Sequence, residues 1–272
     1  MTPVSFAVLK AILFHAELAA WLLALGAALA GRLGWAVTAA AVALGADLAG
    51  RLWSRHSPVP MPYFMRWILA LPRGPHSARR LGEILEPHRA ERILEIGPGV
   101  GGHAFPIAAW PSFDGVLAVL DIQQDMLTDL MRRAARSSQS NIVPCQADAM
   151  HLPYRDVSFD AAYLVSVLGE IPDAPRALRE LRRVLKPQGR LVVGEIIIDP
   201  DFISLAALEK IAAKAGFVLE RRLGPGWAYF ARFRVEPERR HDVRPTTLGD
   251  AEGHRPRASA AVGRVCTAAP TP

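Results

Sequence analysis

Cysteine is nearly absent from this chain of 272 residues: Cys145 and Cys266 are the only two. So far apart, they form neither a metal-ligand spacing nor a disulfide framework, and a reducing compartment is the simplest reading. Aromatic residues are sparse as well, at 7%. The basic residues are mostly arginine, spread out and not interleaved with aromatics, which excludes the stacking platforms of single-strand binders, so no nucleic-acid partner is expected. Acid is in deficit, with 26 Asp and Glu against 32 Lys and Arg, a formal net charge of +6. Such a balance favours anionic partners, and here the anionic face of a membrane is favoured over nucleic acid. What the chain does have is apolar content. At 51% hydrophobic residues it can build one sizeable core and carry appended segments.

Charge is missing altogether from Leu18 to Gly31 and again from Leu33 to Ala46. Each run falls short of the roughly 20 residues that span a bilayer, but extension past Glu17 and Asp47 brings both close to that length. The junction Gly31-Arg32-Leu33-Gly34 reads as a turn, so residues 1–53 are expected to form a hydrophobic helical hairpin. Lys10 precedes the first helix, Arg51, Arg55 and His56 follow the second, and Arg32 alone lies at the tip. That asymmetry puts both ends, and the domain that follows, on the cytoplasmic side. A secretory signal ending near Ala28-Leu-Ala30 and a pair of soluble core helices are the competing readings.

Residues 54–76 read as a linker and a lid. Pro58, Pro60 and Pro62 enforce extended structure, and the aromatic stretch Tyr63 to Leu71 either lies at the headgroup level, lids a site or packs on the next domain. An amphipathic helix from Ser77 to Glu86 follows, with Ser77 as its cap and Pro87 as its stop.

Beyond Pro87, strands and helices alternate. Strands are expected at Arg92–Ile96, Gly115–Leu120, Asn141–Gln146, Asp160–Val165 and Arg190–Ile197, and helices at Ala104–Trp110, Gln124–Ser137, Ala174–Leu185 and Pro200–Ala215. Lys186-Pro-Gln-Gly189 reads as a helix stop and tight turn. Two further strands, Val218–Arg222 and Trp227–Phe233, flank Gly224-Pro-Gly226 and are expected to be antiparallel. The whole describes a doubly wound, mostly parallel seven-stranded α/β domain over residues 77–234. Residues 235–272, rich in Pro, Arg, Ala and Thr without periodicity, are expected to be a disordered tail.

In such sheets ligands bind beyond the carboxyl ends of the strands. There the sequence Ile93-Leu-Glu-Ile-Gly-Pro-Gly-Val-Gly-Gly102 places an acid and then a glycine-rich turn. Gly97, Gly99 and Gly101 let the backbone turn sharply and approach a ligand, and the following helix offers free N–H groups. Glu95 closes the first strand, Asp121 the second, and Asp148 follows the third. Alone, Asp121 reads equally as a helix cap and Asp148 as a turn residue. Together they describe a nucleotide-type cofactor site, with Asp121 placed to accept from both ribose hydroxyls.

The segments ILEIGPGVGG (93–102), LDIQQDML (120–127), QADAMHLPYRDVSFDAAYLVSVLGEIPD (146–173) and ALRELRRVLKPQGRLVVGE (177–195) resemble the class I S-adenosylmethionine-dependent methyltransferases, in their small-molecule and lipid branch. The resemblance covers roughly Leu81 to Phe233 and implies a Rossmann-like fold with S-adenosyl-L-methionine as cofactor. It implies that Glu95, Gly97, Pro98, Gly99 and Gly101 surround the methionine part, that Asp121 holds the ribose, and that Ile122 and Met126 wall the adenine. Asp148 would accept from the adenine amino group beside Ala149 and Met150. Val165 and Ser166 would face the methionine carboxylate and the transferred methyl. After the fourth strand the chain departs from many relatives, carrying Leu168-Gly-Glu-Ile171 where an L-H-H stretch is common.

Methyl transfer needs alignment in a dry pocket more than it needs acid–base groups. Where an acceptor must lose a proton, Glu170 is the candidate base; a solvated loop acid is the alternative. His103 touches the cofactor or serves structure, His151 is structural or exposed, and Cys145 is buried and inert. No metal is expected. The hairpin points to a lipophilic acceptor at the membrane, such as a quinone precursor or a lipid headgroup. A nicotinamide oxidoreductase and a membrane-anchored binding protein without catalysis are the rival functions.

Overall fold

The computed structural model describes residues 3–70, 74–137 and 139–236. The expected tail lies outside them from residue 237 onward. Its start is corrected, because Val235 is buried and ends the last strand.

Two long helices come first, α1 (Pro3–Leu29) and α2 (Leu33–His56), packed side by side and joined by a tight turn. Gly31 makes that turn at a φ of +71°. Both helices are long and apolar enough to cross a membrane by length and composition, and only 11% of Ile12–Leu29 and of Leu33–His56 is buried. A soluble core pair would be mostly buried, so that reading does not describe these helices. A 3-10 segment follows at Tyr63–Ala70.

Helix α3 (Ala78–Leu85) opens the α/β domain. Ser77 caps it by accepting from the Arg80 N–H, and the left-handed Glu86 ends it one residue before Pro87. Two arginines of the sheet collect its last carbonyls: Arg190 donates to Leu85 and Glu86, and Arg232 to Ile84.

The sheet has seven strands: β1 (Arg92–Ile96), β2 (Val116–Asp121), β3 (Ile142–Gln146), β4 (Phe159–Val165), β5 (Leu185–Ile196), β6 (Phe217–Leu223) and β7 (Ala228–Val235). Their spatial order is β3-β2-β1-β4-β5-β7-β6, parallel through β5, with β7 antiparallel to both neighbours. Helices α4 (Ala104–Ala108), α5 (Gln124–Arg136), α6 (Ala174–Val184) and α7 (Leu205–Lys214) make the connections. Apolar residues of β1 and β4 alternate between two cores, as a sheet covered on both faces requires. Leu94, Ala162, Leu164 and Val193 pack towards α6 and α7, and Ile93, Ala161, Tyr163 and Val192 towards α3, α4 and α5.

One strand bound is corrected: β5 starts at Leu185, opposite Phe159, and Lys186 to Gly189 form an irregular turn within it. Gln188 takes a φ of +63°, and the register shifts between Phe159 and Ala161, so the strand absorbs the irregularity instead of ending. Cys145 is buried in β3 as expected, but it is disulfide-bonded, which corrects the reading of an unlinked thiol.

Candidate functional site

The carboxyl ends of β1, β2, β4 and β5 meet at one edge, and their terminal residues set the local chemistry. Strand β1 delivers Glu95 in register with Tyr163 of β4. The Tyr163 hydroxyl donates to Glu95 Oε2 at 2.8 Å, and both side chains are buried. Burial, reinforced by the adjacent carboxylate, drives the Tyr163 phenol well above its ordinary range, so it remains a donor.

The chain then turns through Gly97 and Gly99, at φ of +65° and +53°. A side chain at either position meets a wall as well as backbone strain. A Cβ on Gly97 would lie 2.5 Å from Val167 Cγ2, and one on Gly99 2.6 Å from Leu69 Cδ1. Val167 follows β4, whereas Leu69 belongs to the 3-10 segment. That segment therefore lies against the turn. Pro98 is buried between the glycines, and Gly101 continues the turn at a φ of +91°.

Asp121 ends β2 beside this turn. It is almost fully buried and accepts from the N–H groups of Gln123, at 2.9 Å, Gly99 and Ile122. Desolvation outweighs these three donors and pushes its pKa up to about 6. The glycine turn and the β2 acid are thus one hydrogen-bonded unit. Of the residues placed around adenine by resemblance, Met126 and Ala149 are buried, whereas Ile122 is 52% exposed. Asp148 Oδ1 accepts from the Met150 N–H at 2.8 Å, and Oδ2 lies 3.9 Å from His151 Nδ1. So Asp148 builds its own turn while its side chain remains partly open.

At the end of β4, Val165 and Ser166 are half-buried. Ser166 is left-handed, at a φ of +55°, and its N–H donates to Gly194 O at 2.8 Å. Backbone of this kind persists only where surrounding structure holds it. Glu170 ends a short 3-10 turn, Leu168–Glu170, and accepts from the Met61 N–H at 3.3 Å.

Met61 is one end of a strap that side-chain reading did not assign. Its carbonyl accepts from Gln123 Nε2 at 2.9 Å, so its peptide groups bridge the loops after β4 and β2. The Tyr63 hydroxyl then donates to Asp129 Oδ2 at 2.6 Å, and Arg66 reaches the same carboxylate while stacking on the Tyr63 ring. The Tyr63 hydrogen bond is the main reason that Asp129 lies below the usual carboxylate range.

Glu195, at the end of β5, was also missed. It is 1% exposed. Its Oε2 accepts from the Ile203 N–H at 3.2 Å, and Oε1 has no hydrogen-bond partner. Burial, followed by the charge of Asp199, raises its pKa well above the ordinary value. An acid closing a strand at this edge was the available signal, the same one that marks Glu95 and Asp121. Both buried histidines here are structural: His76 Nε2 bonds Glu195 O, and His103 Nε2 bonds His76 O. No cluster of three or more His, Cys, Asp or Glu suited to a metal is found among the described residues.

A family model described as a methyltransferase domain matches residues 94–193. The 27-O-demethylrifamycin SV methyltransferase of Amycolatopsis mediterranei is 32% identical over 170 residues, 60% of this chain and 61% of that protein. The demethylmenaquinone methyltransferase of Lactobacillus johnsonii is 38% identical over 104 residues, 38% of this chain and 42% of that one. The chain thus spans about three-fifths or less of the length of these relatives. Among solved structures, a SAM-dependent methyltransferase from Aquifex aeolicus superposes with a TM-score of 0.59 at 17% identity, over 64% of this chain and 98% of that one, a likeness of fold. The matched segment runs from β1 into β5, so residues 94–193 carry a methyltransferase domain, and the strand order and glycine turn are similar to those of the class I S-adenosylmethionine-dependent methyltransferases.

Proposed function

We propose that this protein is a membrane-associated S-adenosylmethionine-dependent methyltransferase acting on a small lipophilic acceptor, a quinone precursor or a lipid headgroup. One observation carries the reading: the left-handed glycine turn and the buried Asp121 form a single hydrogen-bonded unit at the sheet's ligand edge. The residues present fit the cofactor. The turn is a cradle that a Cβ would fill, and Asp121 is a buried acceptor beside it. When bound, S-adenosylmethionine would supply an electrophilic methyl on a sulfonium, which passes to the acceptor as the thioether sulfur leaves with the C–S electron pair.

The protein's own residues orient, enclose and neutralise. Asp121 holds the ribose diol, and Met126 and Ala149 give the apolar wall for the base, with Asp148 at its polar rim. Glu95, fixed by Tyr163, supplies negative charge beneath the glycine turn. Leu69 and the strap from Met61 to Tyr63 exclude water, which strengthens every electrostatic contact inside. Glu170 lies between the strap and the end of β4, positioned to take a proton from an acceptor hydroxyl or to hold an amine. The hairpin brings this edge to lipid-soluble substrates, and the basic flanks Arg51 and Arg55 favour the cytoplasmic leaflet.

The rifamycin and menaquinone relatives carry acceptor names that fit bulky or lipophilic molecules, which supports this choice. Calorimetric titration of the full chain with S-adenosylmethionine and with NADH tests the cofactor: binding of the first only is expected. Mass spectrometry of membrane lipid extract incubated with the protein and cofactor tests the reaction. A species heavier by one methyl group is expected, absent with Asp121→Ala. NADH binding, or no methylated species in any extract, overturns the reading.

A further inference from the structure

The hairpin and the α/β domain are joined at a definite level, and that level limits how deep the hairpin can go. Arg51 of α2 donates to Asp199 O at 3.1 Å and to Ile197 O at 2.7 Å, and its Nε pairs with Asp47 at 2.8 Å. At this contact a cavity of about 200 Å³ is lined by Glu17, Trp21, Leu44, Asp47 and Arg51 of the hairpin, of which Trp21 and Leu44 lie nearest the tip, together with Ile197 and Ile198 of the loop after β5. The catalytic domain therefore accompanies the hairpin up to Trp21 and Leu44. Beyond them, α1 runs on to Leu29 and α2 starts at Leu33. At 1.5 Å per residue these free lengths are only about 12 and 17 Å.

A bilayer's hydrocarbon core is about 30 Å thick, so one leaflet is about half of that. If the tip reached the far side, the loop at Ile197–Asp199, with its carbonyls, and the charges of Glu17, Asp47 and Arg51 would all lie in hydrocarbon. Non-helical backbone is not tolerated there against lipid, and neither are charges without a polar surround. The free part is apolar on all sides, with Leu22, Leu23, Leu25, Leu29, Leu33 and Trp35 exposed, as a helix pair immersed in lipid requires. At the level of the junction the α/β domain exposes Ile198 (77%), and the 3-10 segment exposes Trp67, whose ring lies 6.5 Å from that of His15 on α1. Apolar side chains beside tryptophan are suited to the interface between headgroups and acyl chains.

We propose that the hairpin is a one-leaflet wedge and not a pair of spans, and that it seats the loop Ile197–Asp199 at headgroup depth on the entry side of the bilayer. This rests on the membrane association proposed above. It gives the lipid acceptor a short path: the loop after β5 continues from Glu195, at the ligand edge of the sheet. Arg32 at the tip is the one charge on the free part, and tilting of the wedge brings it within reach of the headgroups of the same leaflet.

The test uses the full chain bound to vesicles of phosphatidylethanolamine and phosphatidylglycerol, with an environment-sensitive fluorophore on Ala30→Cys. That position is exposed and avoids the left-handed Gly31. The unsubstituted chain serves as the labelling blank. A wedge predicts loss of emission with lipids carrying a mid-chain nitroxide, and no loss with iodide either outside or trapped in the lumen. Quenching by lumenal iodide places the tip across the bilayer and overturns the proposal. Quenching by external iodide in vesicles that float with the protein also overturns it, because the hairpin then lies on the surface. Protein that does not float with vesicles overturns the membrane reading itself.

Discussion

The hairpin and the α/β domain draw on the same apolar residues and treat them in opposite ways. In the sheet, Leu94, Leu164 and Tyr163 have no exposed surface. In the hairpin, Leu29 is 81% exposed and Trp35 71%. Each region is hydrophobic by sequence, but only one of them owns the surroundings that cover its side chains. The domain carries its apolar solvent with it, as two cores on either face of a sheet. Among the described residues nothing covers the hairpin in that way, and the contact through Arg51 joins it to the domain.

The sharpest way to break this contrast is to remove matched leucines. Leu164→Ala should cost the α/β domain about 2–5 kcal/mol in denaturant unfolding. Leu29→Ala should leave that unfolding unchanged and lower only the fraction of protein that floats with vesicles. Equal effects of the two on unfolding would mean that the hairpin belongs to the folded core.

The next effect in size falls on the cofactor edge. Asp121→Ala should weaken S-adenosylmethionine binding by about 10–100-fold, the worth of charged hydrogen bonds at about 1.5–3 kcal/mol, while flotation is retained. The same residue gives a pH signature. In the folded chain it titrates near 6, against an ordinary 3.8. The fold thus holds this proton more tightly than the unfolded chain does. Its contribution to stability is greatest below about pH 4 and is lost as the pH rises through about 6. Ribose binding has the opposite sign because it needs the carboxylate. Affinity should fall about tenfold between pH 7 and pH 5, and titration calorimetry with Asp121→Asn should show this slope flattened.

How much of this edge could be read in the sequence depends on what each residue contributes. The strand over Arg92–Ile96 was legible to the residue, because a short apolar run ends there in an acid and a glycine turn. The placement of Glu95 and Asp121 at strand ends and of the glycines in the turn was legible for the same reason. The irregular backbone at Lys186–Gly189 was legible in its turn chemistry, but the start of β5 at Leu185 was not, because it is set by pairing with Phe159, far off in the chain. Met61 was invisible in principle. It acts through its peptide N–H and C=O, which every residue type other than proline offers. The depth limit on the hairpin was equally hidden, because two runs of apolar residues do not say where another domain touches them.

Two smaller effects sharpen the coupling between the regions. Arg51→Gln removes the donors to Ile197 and Asp199, and should expose the junction to limited proteolysis while costing about 1 kcal/mol or less in the unfolding of the α/β domain. Tyr63→Phe deletes the hydrogen bond to Asp129 and should loosen the strap by about 1 kcal/mol. Its expected readout is a severalfold rise in the cofactor dissociation rate by stopped flow, with flotation and overall stability close to those of the parent chain.

The place of β7 in the sheet has a consequence for how the molecule is made. This strand, the last of the seven in the chain, lies between β5 and β6. A nascent chain that has emerged only as far as Leu223 therefore holds β5 with one open side, and β6 has nowhere to pair. Residues 228–235 must arrive and insert before either is satisfied. On the membrane association proposed above, the N-terminal helices reach lipid before this, and the final stage of folding takes place on a chain already moored beside the bilayer. Shortening the protein from its far end to before Ala228 leaves an unzipped sheet at that surface, a template for aggregation.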